Sequence, residues 1–308
     1  MTTHRTPVDW VLFATVTVIW ASAYAFTRIA VSQSDPTSGF PPQFIIPARL
    51  TLGGIILLCV AFLSRQKWPA LSAWKSWLAM AVMGIVGTAA PFFVITTAQK
   101  TVDSSLAALY VAASPLFVSV LAHALFHDDQ MTKGKALGLG VGFMGVAVLF
   151  GPEAITAFGS TSMTAQALCL LGTVFYAIST ITARYARDIP PFVFSAGFIS
   201  IGAVATWPLL LSVEFSTLTP SNAAILGVIG LGIGPTAMAS VLYMVLIKRT
   251  SATFLSLTGY TIPIVSAIIG YFAFQEVQDW NAALAFALIL LGVWLAQRGT
   301  KTAQPITD

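Results

Sequence analysis

Charge is what this sequence has least of. Only 8% of its 308 residues are Asp, Glu, Lys or Arg, and 57% are hydrophobic. An ordinary soluble domain is about 25% charged. A folded body of this size keeps much of its surface outside the core, and too few polar residues exist here to cover it. A water-soluble enzyme is excluded, and so is disorder, which needs a polar composition. Cysteine is scarce as well. Cys59 and Cys169 each sit inside an apolar run, which gives neither a disulfide framework nor a cysteine-based zinc site. Acids are missing from the apolar runs: all 11 Asp and Glu lie in loops, tails or at the ends of those runs. Carriers coupled to protons or sodium commonly hold an ionisable group deep in the membrane. The lack of one argues against carboxylate-based coupling, cation substrates and a carboxylate-based intramembrane protease. Neither a G-x-x-x-x-G-K-[ST] loop nor an H-E-x-x-H helix is present, so ATP drive and zincin chemistry are not indicated. A cleavable signal peptide is not expected either, because the first apolar run is too long and lacks a small-residue cleavage site.

What the chain has is apolar length. A bilayer core of about 30 Å requires roughly 20 helical residues. Ten stretches qualify: 10–30, 43–63, 75–97, 104–126, 135–151, 164–184, 192–213, 223–247, 252–274 and 281–297. The fold class is an all-α polytopic membrane protein of ten transmembrane helices. The longest connectors, Ser32–Pro42 and Pro152–Thr164, are polar and rich in Ser, Thr, Pro and Gly, and read as surface loops. Twelve of the 15 basic residues collect on one side of these spans, among them Arg65, Lys67, Lys75, Lys133, Arg249 and Arg298. The other side has Arg28 and Lys100, and Arg49 falls within span 2. By the positive-inside rule both termini are cytoplasmic.

The chain also repeats itself. At an offset of 148, Gly84-Ile85 falls on Gly232-Ile233, Lys100 on Lys248, Pro115 on Pro263, Phe126 on Phe274, and Asp128 on Glu276. At an offset of 156, Trp20 falls on Tyr176 and Arg28 on Arg184. The reading is two units, 1–151 and 152–308, of five spans each. Five is odd, so the second unit enters the membrane from the opposite side. This is the inverted-topology repeat of alternating-access carriers.

Aromatic residues lie deep in the spans, away from the headgroup level where Trp and Tyr are ordinarily enriched. Trp20 and Tyr24 share one face of span 1. Phe92 follows Pro91 in span 3, and Tyr110 is in span 4. Tyr176 and Ser179 are in span 6, Tyr243 in span 8, and Thr258 and Tyr260 in span 9. A deep hydroxyl or indole N–H needs a partner. Helix packing against Ser and Thr supplies one, and so does a polar cavity; the recurrence of the set at repeat-related positions favours a cavity that binds substrate. Pro91, Pro115, Pro235 and Pro263 interrupt helical hydrogen bonding at depth and act as hinges or fixed kinks. Arg49 either snorkels to the membrane surface or faces a water-filled vestibule, where it meets a carbonyl or a substrate carboxylate. His123, His127 and Asp128 share a helix end. The reading is a polar span end, and no metal or other cofactor is expected. The glycines of span 5 (Gly138, Gly140, Gly142, Gly145) and of span 8 (Gly230, Gly232, Gly234) permit close helix packing, and in span 5 also a dimer face.

The ten spans, the two five-span halves, and the cores Leu109-Tyr110-Val111-Ala112-Ala113-Ser114-Pro115 and Leu257-Thr258-Gly259-Tyr260-Thr261-Ile262-Pro263 resemble the drug/metabolite transporter superfamily, EamA type. So do the closing patterns, Phe274-Gln275-Glu276 and Phe126-His127-Asp128. The opening Trp20-Ala21-Ser22 resembles the family's entry motif with a shift. The aromatic-rich spans look similar to bacterial aromatic amino acid exporters of the YddG type. The resemblance implies a non-enzymatic carrier in the cytoplasmic membrane, with a cavity lined by spans 1, 3, 4, 6, 8 and 9. Its substrate would be a small molecule, an aromatic or other neutral amino acid. Its surroundings would be lipid, with no nucleic acid, and its state a monomer or weak homodimer. A multidrug or purine exporter, and a membrane enzyme or lipid scramblase, are the alternatives.

Overall fold

A computed structural model describes residues 6–125, 131–150, 161–186, 188–250 and 257–298. Among these, no strand occurs and nine helices are long and apolar enough to cross a membrane. The tenth, Thr258–Phe274, has 17 residues; residues 252–256 of the span expected there fall outside the described part. Span 1 is Pro7–Val31 and span 2 is Pro42–Leu63. Span 3 runs from Trp74 to Ala98 and span 4 from Ser104 to Leu125. Spans 5, 6 and 7 are Lys133–Phe150, Thr161–Thr182 and Pro191–Thr206, the last continuing as a 3-10 turn, Trp207–Ser212. Span 8 begins at Asn222 and ends at Arg249, and span 10 is Trp280–Arg298.

The helices begin where local chemistry lets them. Proline at the first helical position opens spans 1, 2 and 7, where its missing N–H is no loss. Thr6 and Asp9 form a capping box at span 1, and the Ser221 hydroxyl accepts from the Ala224 N–H at span 8. Outward-facing side chains are large and apolar, including Leu58, Phe62, Leu226, Ile268 and Phe272. In water such a surface would aggregate, whereas in lipid it is the expected exterior. Seven of the eight tryptophans sit near span ends, leaving Trp20 as the one at mid-span.

Two of the described spans contain a π turn. Span 3 widens into a π turn at Ile85–Ala89, and span 8 does so at Gly232–Met238. In each turn a threonine hydroxyl donates to the carbonyl five residues back: Thr88 to Met83 at 2.9 Å and Thr236 to Leu231 at 2.8 Å. The two threonines are 148 positions apart. Matching glycines seat these turns against neighbouring spans. Gly53 of span 2 lies against Thr236, and Gly202 of span 7 against the Gly84 carbonyl. Pro235 lies inside the second π turn, while Pro91 follows the first at the start of its next helical segment. Pro115 breaks span 4, where the helices Ser104–Val111 and Ser114–Leu125 meet at Ala112-Ala113. Its counterpart Pro263 stays inside a continuous helix.

The span 5 glycines make the close helix packing expected of them, within this chain. Gly138, Gly142 and Gly145 are buried against span 10 of the same chain, where a Cβ would overlap backbone or side-chain atoms near Ala285, Ile289, Gly292 and Ala296, and at Gly142 the Leu116 side chain. Gly140 alone of the four has open space around it. Small residues here serve backbone-to-backbone contact within the bundle.

Candidate functional site

A cavity of about 750 Å³ lies at the centre of the bundle. It takes its walls from spans 1, 2, 3, 4, 6, 7, 8, 9 and 10. Trp20, Tyr24, Phe92, Tyr176, Ser179, Tyr243, Thr258 and Tyr260 all line it, as do Arg49, Pro115, Pro235 and Pro263. The repeat-related pair Trp20 and Tyr176 thus meets at one space. The Trp20 and Tyr243 rings contact each other at 4.8 Å between centroids, tilted by 53°. The Tyr260 hydroxyl accepts from Gln297 Nε2 at 2.8 Å, and the Ser179 hydroxyl donates to Met83 Sδ at 2.9 Å.

Two expected residues lie elsewhere. Tyr110 is fully buried between spans 4 and 6, its hydroxyl donating to Gln166 Oε1 at 2.5 Å and its ring edge-on to Phe150. Its polar tip found a glutamine in span 6, so it is packing and not lining. Pro91 is buried behind the π turn and also leaves the cavity wall. Of the histidine group, His123 Nδ1 accepts the Met131 N–H at 3.0 Å and ties down a helix end. His127 and Asp128 fall outside the described residues, and among the described residues no cluster of metal-binding side chains occurs.

Arg49 does not snorkel. It is 4% exposed, in the interior of span 2, with its guanidinium 3.8 Å from the centroid of the Phe92 ring. Nε and Nη2 both donate to the Thr236 hydroxyl, at 3.3 and 3.1 Å. Gly53, one turn along, lets Thr236 approach this closely. The sequence held a signal for Thr236 that composition alone does not carry: at the offset of 148, Gly84-Ile85-Val86-Gly87-Thr88 and Gly232-Ile233-Gly234-Pro235-Thr236 agree at three of five positions, the threonine among them.

Next to the cavity-lining residues Thr27 and Gln99 lies a charged cluster. Arg28, in the last turn of span 1, pairs with Asp103 at 2.7 Å and with Glu276 in a shorter contact. Glu276 is 5% exposed and also accepts the N–H groups of Ser104 and Ser105, at 3.0 and 2.9 Å, and both serine hydroxyls. Those donors are the first residues of span 4, so the carboxylate sits on a helix N-terminus. It reaches them because Gln275 adopts a left-handed conformation (φ 58°), ending span 9, and because Gly270 leaves room for the carboxylate. Burial pushes the Glu276 carboxyl up, but the Ser105 and Ser104 hydrogen bonds outweigh it and hold it below the usual carboxylate range. Gln99, which lines the cavity, donates from Nε2 to the Tyr24 carbonyl at 2.9 Å. At the opposite end of span 1, Asp9 pairs with Arg249 at 2.7 Å, and Arg249 is largely open to solvent.

The sequence of the chain matches the model of the EamA-like transporter family over residues 10–151 and again over 163–297. It belongs to that family. Among relatives, the uncharacterized inner membrane transporter YedA of Escherichia coli is 27% identical, over 95% of this chain and 91% of its own length. A probable terminal-alkyne amino-acid exporter of Streptantibioticus cattleyicolor is 25% identical, over 94% and 93%. An uncharacterized transporter of Archaeoglobus fulgidus is 21% identical, over 94% and 98%. A solved crystal structure superposes with a TM-score of 0.63 at 20% identity, covering 96% of this chain and 99% of that one, which bears on the fold alone. This EamA-type protein is therefore a multi-pass membrane transporter of the drug/metabolite class, with a small molecule as its substrate and lipid around it.

Proposed function

We propose that this EamA-type transporter exports neutral amino acids, aromatic ones foremost, from a bacterial cytoplasm by alternating access. The observation that supports the reading best is the cavity wall: Trp20, Tyr24, Phe92, Tyr176 and Tyr243 offer ring faces to one space large enough for an amino acid. The exporter among its relatives handles an amino acid, which agrees with this. Residues 1–151 and 152–308 would be two inverted repeats rocking about the cavity, with both termini cytoplasmic. The charged seal at Glu276 then closes the outer end, and the cavity meets the cytoplasm on the side of Tyr260 and Gln297. Pro115 and Pro263 have no N–H to offer the carbonyls of Val111 and Gly259, which both border the cavity and can accept from a substrate ammonium. No Asp or Glu borders the cavity among the described residues. Transport would run down the substrate gradient without ion coupling, which suits a metabolite made and accumulated inside.

Counterflow in proteoliposomes tests this. Vesicles loaded with unlabelled Phe, Trp, Thr or a purine are given the labelled compound, with and without a pH gradient. Accumulation with Phe or Trp in the absence of a gradient is the expected result. Accumulation with the purine alone would replace the substrate class and leave the carrier. Trp20→Ala with Tyr176→Ala should abolish Phe counterflow; unchanged transport would remove ring stacking as the basis of recognition.

A further inference from the structure

The unused chemistry in this molecule is the cation at its centre. Arg49 is buried about 10 Å along span 2 from its start, and among the described residues no carboxylate lies within ion-pair distance of it; the described pairs involve Arg28 and Arg249. A buried guanidinium without a counter-ion is costly, and in membrane proteins such groups mark substrate or ion pathways. Its surroundings hold it in place without neutralising it. Thr236 spends its only proton on the Leu231 carbonyl, so its oxygen can act toward Arg49 only as an acceptor. That oxygen takes the Nε–Nη2 edge. Phe92 covers a face of the guanidinium plane. The Nη1–Nη2 edge has no described partner, and Arg49 borders the cavity.

We infer that this edge of Arg49 is the docking point for a substrate carboxylate, and that the carboxylate, not the ammonium, is the obligatory group. The inference rests on the reading that the central cavity carries the substrate. A guanidinium edge and a carboxylate match in a two-bond fork. The rest of the described cavity wall offers an ammonium only uncharged groups: hydroxyls, the Gln99 and Gln297 amides, aromatic rings and the carbonyls of Val111 and Gly259. Substrates are therefore aromatic carboxylates, whether or not they carry an amino group. Thr236 is a positioning residue: its π turn fixes both the place and the acceptor role of its oxygen.

The test is competition against labelled Phe in wild-type proteoliposomes by three compounds with the same ring: Phe, 3-phenylpropionate and phenethylamine. Phenylpropionate should compete and phenethylamine should not. Arg49→Gln should raise KM for Phe by about 10- to 100-fold, the range of a lost charge-assisted hydrogen-bonded pair, and erase the discrimination. Arg49→Lys should recover part of it, as a charge without the fork. Thr236→Val should raise KM while leaving the maximal rate, and Thr236→Ser should restore it. Competition by phenethylamine as strong as by phenylpropionate overturns the inference and leaves amino acid export standing. If Phe does not move, labelled phenylpropionate is followed directly: its uptake supports the anchor and overturns the amino acid reading, and failure of both overturns the anchor. Should the Arg49 variants not fold, the thermal shift of the purified wild-type protein decides: stabilisation by phenylpropionate but not phenethylamine supports the anchor, and the reverse overturns it.

Discussion

Removing the Glu276 carboxylate should open the sealed end of the cavity. The carboxylate takes four hydrogen bonds from Ser104 and Ser105 and a contact from Arg28, all within a pocket where it is 5% exposed. Breaking a buried charged pair by deleting one partner costs about 3–5 kcal/mol. Arg28 keeps Asp103 and part of its hydration, being 21% exposed at the side chain, so the lower end of that range, about 3 kcal/mol, applies to Glu276→Ala. Each 1.4 kcal/mol is about tenfold in an equilibrium. A sealed-to-open ratio of about 100 to 1 would fall to about even. Glu276→Gln is nearly isosteric yet should act in the same direction. Both carboxylate oxygens accept from N–H or O–H donors, so the amide nitrogen of glutamine must face one of them. The assay places a cysteine at Thr27, which borders the cavity near this seal, in a background with Cys59 and Cys169 replaced. Labelling by a membrane-impermeant maleimide from the Glu276 side should rise at least tenfold in either variant. Unchanged labelling, together with an unchanged unfolding temperature, would refute the assignment of this cluster as a seal.

Acid should do the same as mutation. The Glu276 carboxyl is held below its ordinary value of about 4.3, so its contribution is complete above that value and is lost as pH falls through the lower folded one; labelling at Thr27→Cys, taken relative to a free thiol at the same pH because only the thiolate reacts, should rise below that ordinary value, and the rise should be absent in Glu276→Ala. The opposite ion pair, Asp9 with Arg249, is solvent-open on the arginine side, and Arg249→Ala should change labelling and stability far less than Glu276→Ala. Gly292→Leu should abolish the folded protein, because its Cβ would overlap the Gly142 and Gly138 backbone, whereas Gly140→Ala, with open space around it, should leave the unfolding temperature within about 0.5 kcal/mol equivalent of wild type. Tyr110→Phe should lower stability by about 1–2 kcal/mol through the orphaned Gln166 while KM for substrate stays unchanged; a raised KM would return Tyr110 to the site.

The spans and the cavity aromatics were legible because membrane physics writes them as composition. Twenty apolar residues have one use, and a ring at mid-span, such as Trp20, departs from the interfacial habit of its type. Tyr110 shows where that logic stops. Its depth is the same as that of its neighbours in sequence space, and only the arrival of Gln166 from another span turned its hydroxyl away from the cavity. Arg49 was visible as an oddity, but whether its side chain ran outward or stayed in depended on Thr236, 187 residues away. The Glu276 seal was hidden for a further reason: span-end acids usually face water, and this one is drawn in by a left-handed Gln275 and a missing side chain at Gly270.

The two halves share bends but not charge, and this asymmetry bears on how a substrate sits. Pro41-Pro42 and Pro190-Pro191 open spans 2 and 7 in the same way, and Gly53 and Gly202 then seat each span on a π turn. On that register Arg49 corresponds to Phe198, and both border the cavity. A scaffold that doubled the arginine would offer two anion sites across the cavity and suit a dianion, with a penalty from like charges when empty. One arginine and one phenylalanine at these two lining positions would instead give the cavity a charged and an apolar group, the polarity of an aromatic carboxylate. On the proposed alternating access, the doubled π turns are what rocking would need in both directions. On the same proposal the single feature, Arg49, is the one that recognition would need, since a substrate would keep one orientation and the same contacts whichever side is open.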